Sequence, residues 1–117
     1  MNQNNDTRWY FPSERLEAYR VAKELVTVVA RVSRGWRAGL RAQALEAAES
    51  AMLNVAEGAA HRSRAVKRRH FDIALGSANE TFAALEVASA LGLEGACAIP
   101  VARRLGALIG GLIRACG

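Results

Sequence analysis

The sequence is poor in aromatic residues, cysteine and proline, and each shortage narrows what the chain can be. Three Phe, two Trp and two Tyr among 117 residues supply few large side chains for a core, although 51% of the composition is hydrophobic. The apolar content rests mainly on alanine, valine and leucine. Alanine has the best helix propensity and lets backbones approach closely, so this balance suits helix packed on helix. The two prolines, Pro12 and Pro100, both lie where helices could begin. Cys97 and Cys116 are far apart and fit no metal-ligand spacing, which excludes a zinc module or a disulfide framework. No segment alternates apolar and polar residues as a half-buried strand would. The expected class is all-α, in one domain of modest core.

Signals for catalysis are missing too. There is no glycine-rich phosphate loop, no Cys/His cluster, no nucleophile motif and no Glu-x-x-His pair of the kind that builds a metal site inside a bundle. No catalytic residue, metal site or cofactor is therefore expected. The opening residues MNQNNDTRWY are polar and lack the apolar core of a secretion signal, and the expected location is the cytoplasm. The most apolar late stretch, Ile99 to Ile113, contains Arg103 and Arg104 and is expected to be too short to span a bilayer.

What the chain does have is positive charge and helical periodicity. The net charge is +5 and the isoelectric point about 10.0. Such a balance suits an acidic partner such as nucleic acid, or simply solubility. Its distribution says more than its sum. Arg62, Arg64, Lys67, Arg68 and Arg69 fall within eight residues, with no acid among them and with His61 and His70 on either side.

Residues 1–12 read as a flexible arm whose Trp9, Tyr10 and Phe11 dock near the first helix. A bundle domain is expected over 13–117. The first helix should start near Ser13, an N-cap after Pro12, and run to Ser33, with Leu16, Tyr19, Ala22, Val26, Val29 and Val32 on one stripe. The second should cover Leu40 to Ala59, its stripe formed by Leu40, Ala44, Ala48, Met52 (or Ala51), Val55 and Ala59. Gly58 near its end would tolerate a positive φ. The third should begin between Ser63 and Lys67 and run to Leu91, burying Phe71, Ala74, Leu75, Ala78, Phe82, Leu85 and Ala88, with Gly92 as its stop and Leu93 packing beside it. The fourth should run from Ile99 to Ala115. Its three glycines, Gly106, Gly110 and Gly111, cost about 1 kcal/mol each relative to Ala, which implies a closely approaching helix or a frayed end. Four amphipathic helices with short connectors make an antiparallel up-down-up-down four-helix bundle the economical arrangement.

Two successive helices also carry polar residues: Gln43, Asn54 and Glu57 on the second, Ser77 and Glu80 on the third. These are expected to form a partly buried, mutually hydrogen-bonded cluster that fixes bundle register, since an unpaired polar group in a core costs several kcal/mol. Glu57 and Glu80 could instead pair as carboxylates for acid–base chemistry, a less economical reading. Glu57 and His61 stand at i, i+4 and could share a metal, but Gly58 between them argues that the helix ends there. Gly76, in mid-helix, is expected to admit a neighbouring helix.

The run LRAQALEAAESAMLNVAEG from Leu40 to Gly58, followed by HFDIALGSANE from His70 to Glu80, resembles the proteins encoded in intervening sequences of 23S ribosomal RNA genes. Gln43, the Asn-Val-Ala-Glu-Gly ending at Gly58, a basic connector with Arg62 and Ser63, and the Phe71, Gly76, Ser77 and Glu80 pattern carry the likeness. Leu16, Tyr19, Ala22 and Leu25 extend it into the first helix. An Ala-rich second helix, with Glu49 and Met52 in place of more usual residues, and the glycine-rich fourth helix depart from the pattern. The resemblance implies a four-helix bundle that assembles as a ring-shaped homopentamer, and it does not imply an enzyme. Among similar proteins are accessory factors of diversity-generating retroelements, which engage nucleic acid and a reverse transcriptase.

The expected function is that of an oligomeric accessory or scaffold protein that binds DNA or RNA backbone through residues 61–70. The alternative is a module that docks a partner protein, such as a reverse transcriptase, without nucleic acid. No base-stacking aromatic sits among the arginines, so any nucleic-acid binding should be directed at phosphate and indifferent to sequence.

Overall fold

The computed structural model describes residues 9–117, and the expectation for the first eight residues of the arm lies outside them. Four helices follow one another: α1 (Glu17–Val32), α2 (Ala38–Ala60), α3 (Arg64–Ala90) and α4 (Ile99–Ala115). Short 3-10 turns cover Pro12–Arg15, Ser33–Gly35 and Ala96–Ala98, and no strand occurs among the described residues. Each helix packs on the next, and α1 closes against α4. The molecule is 20 Å through its thinnest direction, close to two helix diameters. Paired residues run in opposite directions across the seams. On α2 and α3, Asn54 meets His70 and Ser50 meets Ser77. On α3 and α4, Phe82 meets Arg103 while Leu75 approaches Gly106. The bundle is therefore antiparallel along both seams.

The core is built from small side chains, as the composition requires. On α2, Leu40, Ala44, Ala47, Ala48, Ala51, Val55 and Gly58 are buried. Opposite them lie Phe71, Ala74, Ala78, Thr81, Ala84, Leu85 and Ala88 of α3. The buried stripe of α1 is wider than expected and centred on Val21, Leu25 and Val28 as well as Ala22, Val29 and Val32; Leu16, Tyr19 and Val26 form its half-buried edge. A helix that touches two neighbours buries more than one stripe. Phe82 is only half-buried and Leu75 is exposed, so two of the residues expected to face inward on α3 lie at the margin.

The ends follow local chemistry. Ser63 caps α3 by accepting from the Val66 N–H at 3.3 Å. Gly92 has φ +75° and donates its N–H to Ser89, while Leu93 donates to Ala88, the paired bonds of a Schellman stop. Ser13 does not cap α1. It is buried in the 3-10 turn, and an extended Leu16 separates that turn from the α-helix. At the far end of the molecule the Trp36 indole donates to the Glu94 carbonyl at 2.7 Å and ties the first helix connection to the third.

Three further expectations are corrected. Trp9 and Phe11 do not dock on the bundle; they pack edge to face on one another, with centroids 4.6 Å apart, and both stay largely exposed. Gly76 admits no neighbouring helix, since nothing lies within 4 Å of where its Cβ would be. With the preceding 3-10 turn, helix runs from Ala96 to Ala115, long and apolar enough by length and composition to cross a membrane. In the bundle its residues Ala102, Leu105 and Ile109 are buried in the core.

Candidate nucleic-acid interface at the connection between α2 and α3

Three residues, His61 to Ser63, join α2 to α3. So short a link forces an antiparallel pair and gathers the basic run at one end of the molecule. Arg62, Arg64, Arg68 and Arg69 are all exposed there. Among the described residues no carboxylate lies within ion-pair distance of any of them. They stand around the N-terminus of α3, whose unpaired N–H groups add positive potential.

Lys67 differs from its neighbours. It is half-buried, and its ammonium donates to the carbonyls of Gly58 and Ala59, each at 3.1 Å. Those are among the last carbonyls of α2, which have no partner within the helix. Lys67 is thus committed to capping α2, a role that a count of positive charges could not distinguish from phosphate binding.

The expected polar cluster is rebuilt around different partners. Asn54 and Ser77 are half-buried and come together through Ser50: Ser50 Oγ lies 2.8 Å from Ser77 Oγ, and Asn54 Nδ2 donates to the Ser50 carbonyl at 2.9 Å. Asn54 Oδ1 in turn lies 3.1 Å from His70 Nδ1. Gln43, Glu57 and Glu80 do not join; all three are exposed. The cause is register. Ala44, Gly58 and Thr81 occupy the buried positions, so the residue just before each turns toward solvent. Glu57 and Glu80 are not brought together as a carboxylate pair. Ser50 and His70 are the members that sequence reasoning missed. Ser50 stands one turn before Asn54, a spacing that could have revealed it.

The expectation of no metal ligand set leaned on a helix end at Gly58. Instead α2 continues through Gly58 to Ala60, and Gly58 has no positive φ. Glu57 and His61 consequently face each other across one turn, with Glu57 Oε2 and His61 Nε2 3.5 Å apart. The His61 and His70 rings lie parallel, 3° between planes and 5.3 Å between centroids.

Beside the connector a groove of about 460 Å³ opens between the start of the first turn and the end of α4. Leu16, Phe71 and Leu112 lie along it, with Arg62 and Arg64 at its basic side.

These features define a small all-helical bundle protein with one strongly basic end. The family model of the 23S rRNA-intervening sequence proteins matches residues 14–96, and the chain belongs to that family. Among curated proteins none matches the chain.

Proposed function

We propose that this chain is a non-enzymatic, oligomeric accessory protein that holds nucleic acid by its phosphate backbone at the connection between α2 and α3. The observation that carries this reading is the group of four exposed arginines, Arg62, Arg64, Arg68 and Arg69, without carboxylate partners among the described residues. Arginine presents a planar fork of donors suited to phosphate oxygens. Binding follows backbone charge, since among the described residues no exposed Phe, Tyr or Trp stands among the arginines to stack a base.

Assembly is part of the proposal. Leu53, Ile73 and Val87 are exposed on the outer faces of α2 and α3, and Leu91 is exposed just after α3. Gly110 and Gly111 meet only the flexible Arg114 side chain of their own chain. Such surfaces favour association of copies, for which we propose a homopentamer, and every added subunit multiplies the basic sites. The same apolar side chains favour the second reading, a scaffold that docks a partner protein, such as a reverse transcriptase, without nucleic acid. The free thiols of Cys97 and Cys116 suit the reducing cytoplasm.

Fluorescence anisotropy with a labelled oligonucleotide of arbitrary sequence, over a salt series, tests the leading reading. Affinity should fall steeply with salt, as neutralised phosphates release counterions, and replacing Arg68 and Arg69 with Gln should flatten the slope. A wild-type protein that binds nothing at low salt would favour the scaffold. Light scattering tests assembly, and a monomer mass at micromolar concentration would overturn it.

A further inference from the structure

The structure assigns a divalent transition-metal site, of the kind zinc occupies, to Glu57, His61 and His70. One ligand atom from each of these residues lies within 4.8 Å of the others. Two belong to the last turn of α2 and its cap, and the third to the second turn of α3. A metal there would clip the two helices together across their three-residue link.

The donor set suits the metal. Neutral imidazole nitrogen is a good ligand for zinc, nickel and copper, and two histidines with one carboxylate leave a coordination position open for water. With bonds of about 2.0–2.1 Å, tetrahedral ligand atoms sit roughly 3.3 Å apart. The Glu57 Oε2 to His61 Nε2 distance of 3.5 Å already approaches that separation. The remaining closure needs only side-chain rotation, for which Glu57 and His61 are free because both are exposed.

His70 is the fixed member of the set. Asn54 donates its amide to the Ser50 carbonyl, which turns its Oδ1 toward His70. An amide oxygen only accepts, so His70 Nδ1 must carry the proton and donate it. The Nε2 lone pair is then left free for a metal. Metal-binding histidines commonly have their other ring nitrogen held in this way by a second group. The His61 ring, stacked parallel at 5.3 Å, must turn out of that stack for both in-plane lone pairs to reach one ion, and its exposure allows the turn. The surrounding arginines oppose a bound cation, and the Glu57 carboxylate is the one anionic ligand that offsets them.

Titration of the full-length protein with Co²⁺, followed by its visible absorption, and with Zn²⁺ by calorimetry tests the site. One equivalent per chain should saturate, with Co²⁺ bands lacking the thiolate charge transfer that Cys97 or Cys116 would produce. His61→Ala, His70→Ala and Glu57→Gln should each weaken binding at least tenfold, with helical circular dichroism unchanged. Asn54→Ala, which touches no metal, should weaken it by about 10–100-fold through loss of ring orientation. Absence of saturable binding to the wild-type protein would overturn the assignment. So would thiolate bands, or an affinity unchanged in both histidine variants.

Discussion

Gly58 and Phe71 meet across the seam between α2 and α3 with no room for another atom: a Cβ on Gly58 would lie 2.5 Å from Cε1 of the phenyl ring. Phe71 is itself buried, so displacing the ring disturbs the packing of the seam. Gly58→Ala gains about 1 kcal/mol of helix propensity but forces overpacking that typically costs about 1–3 kcal/mol. The variant should melt below wild type. Gly76→Ala, where nothing stands within 4 Å, has the gain without the clash and should melt higher. Thermal melts at one fixed protein concentration compare the two.

Asn54 and Glu80 should separate in the same measurement. Asn54 links Ser50 to His70 from a half-buried position, and removing a hydrogen-bonded partner there costs about 1–3 kcal/mol. Glu80 is exposed and has no hydrogen bond or ion pair among the described residues. Glu80→Ala should stay within about 0.5 kcal/mol of wild type in urea unfolding, while Asn54→Ala shifts the midpoint clearly downward.

Lys67 should behave as a structural residue. Lys67→Met removes the donors that satisfy the Gly58 and Ala59 carbonyls and should cost about 1.5–3 kcal/mol, the range for a hydrogen bond to a charged group. Arg68→Gln and Arg69→Gln change exposed charges without ion-pair partners and should leave stability nearly unchanged. Denaturant midpoints measured alongside the anisotropy slopes separate folding effects from binding effects.

Glu17 gives the fold an acid-sensitive contact. Its side chain accepts from Arg20 on its own helix and from Arg104 of α4. The Arg20 hydrogen bond, chiefly, together with the charges of Arg20 and Arg104, holds its pKa below the ordinary carboxylate value. A depressed folded pKa means that the contribution is complete above the unfolded value and disappears as pH falls through the folded one. Glu17→Gln should therefore melt slightly below wild type at neutral pH, and the two curves should converge in acid. Added salt should narrow the gap, because the contact is exposed.

Much of the fold was written locally. Pro100 in the first turn of α4, the Ser63 cap and the Gly92 stop act within a few residues of themselves, so three of the helix ends could be read from the chain. The small-residue stripe of α2 also announced most of its buried face, though packing took Ala51 over Met52 and Gly58 over Ala59 and added Ala47. Whether Gly58 ended a helix or made room for a ring depended on Phe71, thirteen residues away and on another helix.

The candidate site divides in the same way. The sequence determined that five positive charges and two flanking histidines lie close together, because covalent connection alone guarantees it. Only the packing of α3 against α2 decided that Lys67 turns inward to carbonyls, that Glu80 faces solvent, and that His70 lies beside His61 with its Nδ1 held by Asn54. Each of those outcomes depends on the relative rotation of two helices. That rotation is fixed by how Val55, Gly58, Phe71 and Ala74 fill the space between them, a property of the packed pair that neither segment carries alone.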